Sequence, residues 1–261
     1  MRAWTRALAL LATIVATGLA LALAGCGDDD DGGSEQSTPR LVVSAASSMT
    51  EALDACSADF ADATVRLSFA GSDELAAQIR QGVKPDVYAA ANTKLPDALH
   101  DEGLLGKPVE FATNELVLAV PAGSEIASVD DLTAKGVTIA IGDESVPIGS
   151  YTRETLAKLP AAESKAILGN VRSNEPDVKG IVGKLTQGAV DAGFVYVTDV
   201  NAAGSDLKAI ELPPDVEPQV TYAAGVVEGA KHPEQASTYL NELLDRPCAE
   251  ALRDAGFGAA P

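Results

Sequence analysis

Apolar residues recur along the chain from Leu41 onward at two alternating spacings. Short runs such as LVVSAA, TVRLSFA and PDVYAAA are nearly continuous and predict strands buried on both faces. Each run is followed by a segment with apolar residues at helical spacing, the first of them from Ala52 to Phe60. Strands that alternate with helices predict a parallel sheet with helices on both faces.

A second series of strands and helices begins after the strand-like segment NELVLAVPAG. It includes the strands VTIAIGD and AGFVYV, and the segment EPQVTYAAGVVEG leads from it to two C-terminal helices. The two long segments, near residues 112–120 and 218–227, are expected to cross between the series as a hinge. The pattern therefore predicts an α/β protein with two lobes, one formed by residues 41–115 and 223–261 and the other by residues 116–222.

The N-terminal segment has a different pattern. Arg2 and Arg6 precede an apolar run over residues 7–25, which is typical of a secretory signal. A membrane-spanning anchor is the alternative, because the run is nearly long enough to cross a bilayer. The run ends in LAGC, which resembles the lipobox of bacterial lipoproteins and favours the signal. This resemblance implies that residues 1–25 are removed and that the thiol of Cys26 is lipidated.

The segment after the predicted cleavage site has the composition of a tether. Residues 26–40 contain four consecutive aspartates and no apolar residue large enough to pack into a core. Such a segment is expected to remain disordered and, as a flexible coil, to reach about 20 Å. The sequence thus predicts a body held by lipid at the extracytoplasmic face of the cell membrane.

Composition narrows the classes of function. The formal net charge of −19 argues against a nucleic-acid partner, because phosphate binding needs a basic face. His100 and His232 are the two histidines and lie far apart in the sequence, which argues against a histidine-based metal site or catalytic triad. The sequence also lacks the usual hydrolase, zinc-protease and nucleotide-binding motifs. We therefore expect neither enzymatic activity nor a cofactor.

Two cysteines, Cys56 and Cys248, remain when Cys26 is assigned to lipid. Because an extracytoplasmic compartment is oxidising, two cysteines favour a disulfide between them. Two separately buried thiols are the alternative.

Three predicted strand-to-helix junctions carry small hydroxyl or glycine residues, at residues 46–50, 70–75 and 146–151. Helix N-termini present unpaired N–H groups and partial positive charge, so they form anion sites. In open α/β sheets these junctions gather at the carboxyl ends of the strands, where ligands bind. Ser48 and Glu51 also match a capping box, which gives Ser48 a structural interpretation beside the functional one. Taken together, the three junctions favour anion binding.

The same segments resemble the molybdate-binding proteins of bacterial ABC transporters, over residues 41–257. The resemblance is carried, in the family's order, by AASSMTEAL, SFAGSDELAAQI, GVKPDVYAAAN, IGDESVPIGSYTRETL and DAGFVYVTDV. It implies the type II periplasmic-binding-protein fold, in which a ligand cleft lies between two lobes joined by two hinge strands.

The resemblance also implies a set of residues that bind the oxyanion. Two serines would donate through hydroxyl and backbone groups, two apolar residues through backbone N–H groups, and one tyrosine through its phenol. These residues are Ser48, Ser72, Ile148, Val178 and Tyr196. The metal would be held through the molybdate oxygens, with no direct metal ligand from the protein.

One departure from the family pattern concerns Asp73, which stands where a third serine is common. A carboxylate at that position repels a dianion unless it turns outward or caps the helix. Phosphate, by contrast, carries a proton that a carboxylate can accept, so a carboxylate facing the cleft would favour phosphate.

The resemblance implies a monomeric, lipid-anchored substrate-binding protein that captures molybdate or tungstate and delivers it to an ABC permease. A binding protein for sulfate or phosphate is the nearest alternative. An enzyme acting on an oxyanion ester is less well supported, because the sequence offers no nucleophile–base pair. A structural surface lipoprotein would leave the serine-rich helix starts without a purpose.

Overall fold

The computed structural model describes residues 38–245 and 247–261. The predicted signal peptide, the predicted lipidation site at Cys26 and most of the predicted tether lie outside these residues. Among the residues that the structure describes, no helix combines the length and the apolar character needed to cross a bilayer.

Strands and helices follow one another in two series, and the chain then returns to the first. The first series contains β1 (Arg40–Ala46), α1 (Thr50–Ser57), β2 (Thr64–Ala70), α2 (Ser72–Arg80), β3 (Val87–Ala90), α3 (Lys94–Asp101) and β4 (Val109–Asn114). The second contains β5 (Leu116–Pro121), β6 (Ile139–Gly142), α4 (Pro147–Lys158), α5 (Ala161–Asn170), β7 (Val171–Glu175), α6 (Val178–Thr186), β8 (Ala192–Tyr196), α7 (Val197–Ala203) and β9 (Leu207–Glu211). The returning segment contains β10 (Val220–Val226), α8 (Pro233–Leu244) and α9 (Cys248–Ala255).

The two series form two five-stranded sheets with the same arrangement. The strand orders are β2-β1-β3-β10-β4 and β7-β6-β8-β5-β9. In each sheet three parallel strands are followed by an antiparallel one, β10 or β5, which the chain enters directly from the other series. Both sheets are therefore mixed, whereas strand–helix alternation alone predicts parallel ones. The crossing strands run antiparallel because they arrive without an intervening helix.

The first crossing is short. Only Glu115 separates β4 from β5, and the neighbouring Asn114 pairs with Val220 in one sheet while Leu116 pairs with Tyr196 in the other. The predicted hinge segment near residues 112–120 thus consists of two strands in different sheets.

The second crossing lies in residues 212–219, before β10. All register pairs of β10 lie with β3 and β4, and its residues Val220 to Gly225 are buried between them. The lobe boundary expected at residues 222–223 falls inside this strand and assigns its first three residues to the other lobe. An apolar run alone does not reveal which of two sheets supplies its partners.

A disulfide joins Cys56 of α1 to Cys248 of α9 in the structure, so the C-terminal helix is tied to the first series. Both cysteines are buried. The ring of Tyr239 packs edge-on against Phe60 beside this bridge, with 5.4 Å between the ring centroids.

Candidate functional site

The five predicted ligand residues line one small cavity of about 20 Å³. Helix starts from both series surround it. The lining residues are Ala46, Ser47, Ser48, Ala70, Gly71, Ser72, Ala91, Val146, Pro147, Ile148, Asp177, Val178 and Tyr196. A cavity of this size is far smaller than the roughly 300–1,000 Å³ of an organic-ligand pocket, which favours a small ligand.

Strand register brings these helix starts together. The last residues of β1 and β2, Ala46 and Ala70, are direct partners, so the helices that follow both strands begin at the same edge of the sheet. In the second sheet α4, α6 and α7 follow the parallel strands β6, β7 and β8 in the same way. The cavity therefore lies at the carboxyl ends of the parallel strands of both sheets, where open α/β sheets bind ligands.

Ser48 is buried, and its hydroxyl oxygen lies 2.9 Å from the phenol oxygen of Tyr222. The predicted capping box is wrong. Ser47–Met49 form a 3-10 turn, so α1 begins only at Thr50 and has no side-chain cap. The Glu51 carboxylate instead pairs with Lys179 at 2.8 Å. The functional interpretation of Ser48 thus no longer competes with a capping role.

Ser72 is the first residue of α2 and is 1% exposed. Its hydroxyl oxygen accepts a hydrogen bond of 3.1 Å from the Ala91 backbone N–H, and its carbonyl accepts one of 2.7 Å from the Tyr88 phenol. Because the hydroxyl oxygen accepts from Ala91, the Ser72 proton remains available to a group in the cavity.

Ile148 and Val178 contribute through their positions in the backbone. Val178 is the first residue of α6, and Ile148 follows Pro147 at the start of α4. Because proline has no N–H, Ile148 carries the first backbone donor of α4. Both residues line the cavity and have apolar side chains, so any polarity at these two points comes from the peptide groups.

Tyr196 ends β8 and immediately precedes α7. Its side chain is 1% exposed, and its phenol oxygen has no hydrogen-bond partner among the described residues. Burial raises the pKa of Tyr196 well above its ordinary value, so the phenol keeps its proton. A buried hydrogen-bond donor without an acceptor destabilises the folded protein. An anion in the cavity would supply that acceptor.

The two aspartates near the cavity differ in placement. Asp73 does not line it, whereas Asp177, which sequence reasoning did not single out, does. Asp177 caps α6, since its carboxylate accepts a hydrogen bond of 3.0 Å from the Gly180 N–H. Its position directly before Val178 in the segment DVKG is the signal that could have identified it.

The cavity has donors but no cation among its lining residues in the described part of the chain. The nearby Lys179 is paired with Glu51 and lies 3.4 Å from the Asp199 carboxylate. Asp199 is itself buried, and burial raises its pKa to about 7 against the opposing charge of Lys179. A site made of hydroxyls and helix N-termini, with no cation in it, can bind an anion through the dipoles of its O–H and N–H groups.

The chain resembles known proteins over nearly its whole length. Residues 41–258 match a family model described as bacterial extracellular solute-binding protein. Molybdate-binding protein ModA of Mycobacterium tuberculosis is 31% identical over 255 residues, which cover 94% of this chain and 95% of that protein. The Bacillus subtilis putative ABC transporter substrate-binding lipoprotein YvgL is 30% identical over 251 residues, which cover 92% and 94% respectively.

A solved structure shows the same architecture. The substrate-binding domain of a putative molybdenum ABC transporter from Clostridium difficile has a TM-score of 0.65 and is 26% identical. The match covers 85% of this chain and 99% of that domain. The two-lobed α/β fold expected from the sequence is confirmed by this likeness.

Proposed function

Because the chain belongs to the family of bacterial extracellular solute-binding proteins, we propose that it captures molybdate, and also tungstate, and delivers it to an ABC permease. The relatives named as molybdate-binding proteins support the choice of ligand. The name of the Bacillus relative supports delivery to an ABC transporter.

The observation that carries this proposal is the buried phenol of Tyr196, which faces a small cavity and has no acceptor among the described residues. The four other predicted ligand residues line the same cavity. The four oxygens of a tetrahedral dianion can each accept more than one hydrogen bond, so a single ion can accept from all five proposed donors. Charge-assisted hydrogen bonds of this kind are roughly twice as strong as neutral ones.

In this proposal each residue has a distinct task. Ser48, Ser72 and Tyr196 donate through side-chain hydroxyls, while Ile148 and Val178 donate through backbone N–H groups at the starts of α4 and α6. The site binds the ion through its oxygens, and the protein undergoes no chemical reaction with it. The formal net charge of −19 opposes the approach of an anion, whereas the local dipoles hold it once it is bound.

Phosphate is the second candidate, because Asp177 places a carboxylate at the cavity. A carboxylate accepts the proton of hydrogen phosphate but repels a fully deprotonated dianion. The Asp177 carboxylate accepts a hydrogen bond from the Gly180 N–H, so one of its oxygens is turned toward α6. This favours a fully deprotonated dianion such as molybdate over hydrogen phosphate.

We place the protein at the outer face of the cell membrane, anchored by lipid on Cys26 and acting as a monomer. The lipobox-like LAGC segment and the lipoprotein relative support this location.

Calorimetric titration of the chain lacking residues 1–26 tests the ligand. We expect binding of one molybdate or tungstate per chain and much weaker heats with sulfate and phosphate at equal concentration. Tight binding of phosphate or sulfate together with silence toward molybdate would overturn the assignment.

A further inference from the structure

A chain of hydrogen bonds lies behind Ser48, outside the cavity. The Tyr222 phenol oxygen lies 2.9 Å from Ser48 Oγ and 3.3 Å from Asn114 Nδ2. The same amide nitrogen lies 2.9 Å from the Thr198 hydroxyl, and the amide oxygen accepts a 2.9 Å bond from the Glu115 N–H. The three polar side chains Ser48, Asn114 and Thr198 are buried.

The direction of this chain follows from the donors it contains. The Glu115 N–H fixes the amide oxygen of Asn114, so its nitrogen faces Tyr222 and Thr198 and donates one proton to each. Tyr222 therefore accepts from Asn114, and Ser48 is the partner left for its own proton. If Ser48 donated instead, the Tyr222 proton would have no acceptor in a buried position.

The Tyr222 ring is held in place by its neighbours. It is fully buried, and three aromatic rings pack edge-on against it, those of Phe111, Tyr196 and Phe257, at centroid distances of 6.2, 5.9 and 5.2 Å. Such packing fixes the position of the phenol oxygen, and the acceptor within reach, Ser48 Oγ, then decides where its proton points.

We infer that Tyr222 is a positioning residue for the ligand: by donating to Ser48 Oγ, it leaves the Ser48 proton directed at an oxyanion in the cavity. The inference rests on the proposed function, because it needs an anion there. Without the Tyr222 proton, Ser48 can turn and present lone pairs to the anion, so binding weakens although Tyr222 itself makes no ligand contact.

A double-mutant cycle tests this coupling. Affinities are measured by calorimetry for the parent, Ser48→Ala, Tyr222→Phe and the double variant, with whichever of molybdate, tungstate, sulfate and phosphate the parent binds most tightly. We expect roughly a tenfold loss from Tyr222→Phe in the parent and little further loss when Ser48 is already alanine.

Tyr239→Phe is the matched control. Tyr239 is also buried, packs edge-on against a phenylalanine, and bonds a serine hydroxyl, Ser57, at 2.9 Å, but it lies away from the cavity. We expect it to alter the melting temperature about as much as Tyr222→Phe does and to leave affinity unchanged.

Each outcome of the cycle is decisive. An equal loss from Tyr222→Phe with and without Ser48 would show a structural role and overturn the inference. So would a Ser48→Ala variant that binds as tightly as the parent, although the proposed function would survive that result. If the parent binds only sulfate or phosphate tightly, the proposed ligand is wrong, but the coupling between Tyr222 and Ser48 can still be measured with that anion. A parent that binds none of the four anions would overturn both the proposed function and the inference.

Discussion

In the proposed site, single hydroxyl groups supply the side-chain donors. The Tyr196 phenol has no partner among the described residues, and the Ser72 hydroxyl oxygen accepts from the Ala91 N–H, so both hydroxyl protons are left for a ligand. Since these groups sit at a strand end and a helix start, folding fixes their positions before a ligand arrives. The free energy of ordering them is therefore already supplied by folding.

Tyr196→Phe tests the phenol alone, because the ring and its packing remain. A hydrogen bond to a charged group contributes about 1.5–3 kcal/mol, so affinity for molybdate should fall roughly ten- to a hundredfold. The ligand-free melting temperature should stay the same or rise slightly, since the phenol oxygen has no partner to lose. A variant that binds as tightly as the parent would show that Tyr196 is not a ligand residue.

Asp199 predicts a pH dependence of stability. Its carboxyl titrates near 3.8 when unfolded and at about 7 when folded, chiefly because of burial. Between these values the folded state binds more protons, so the contribution of Asp199 to stability is full below about pH 4 and is lost as pH rises toward 7. The charges facing it are Lys179, which opposes the shift, and Glu51, which adds to it.

We expect Asp199→Asn to flatten the dependence of unfolding free energy on pH between about 4 and 7, measured by urea denaturation. The amide retains an acceptor for the Tyr196 N–H, which the carboxylate now accepts at 3.3 Å. An unchanged profile would mean that Asp199 titrates near its ordinary pKa.

Sequence could predict which residues meet at the cavity but not the groups that orient them. Ser48 and Tyr196 follow apolar strands at recognisable junctions. Tyr222 is 174 positions from Ser48, and its contact depends on how the returning strand pairs. Asp177 lies two residues after β7, whose sequence VRSNE gives little apolar signal to mark this junction.

At the scale of elements, the apolar pattern predicts the buried strands and misses the edges. The strands β7 and β9 have the sequences VRSNE and LKAIE, and two of the five residues in each are exposed, so they show little apolar signal. The segment DDLTAKG, whose acidic start is typical of a helix, forms only a 3-10 turn at Asp130–Thr133. Gly136 follows at a φ of 95°, which a helix cannot continue through.

The approach of two helix starts across the cavity gives an element-scale prediction. A β-carbon added at Gly71, before α2, would overlap the carbonyl oxygen of Pro176, before α6. Gly71→Ala should therefore hinder this approach and weaken molybdate binding by roughly tenfold or more. When the two series are apart, the added carbon still meets the end of the Asp73 side chain, at 2.9 Å, which can shift, so ligand-free stability should change little.

Gly169→Ala is the matched control, because its added β-carbon meets nothing within 4 Å and it lies in a helix. X-ray scattering with and without molybdate should show contraction of the parent and of this control. Equal contraction and equal affinity in Gly71→Ala would contradict a tight contact at Gly71.

At the scale of the whole molecule, the Cys56–Cys248 bridge ties together segments 192 residues apart. Loop-entropy models assign such a bridge a few kcal/mol of stability. We expect no reactive thiol in the unreduced, denatured chain lacking Cys26. Two thiols that react with a colorimetric reagent would mean that the cysteines are separately buried instead.

The central claim is that a tetrahedral oxyanion occupies the cavity where helix starts from both sheets meet. Locating molybdenum by its anomalous X-ray scattering, in crystals grown with molybdate, tests this claim most directly. The account predicts one peak inside the cavity, surrounded by Ser48, Ser72 and Tyr196 and by the backbone of Ile148 and Val178. A peak elsewhere, or an empty cavity at saturating molybdate, would contradict it.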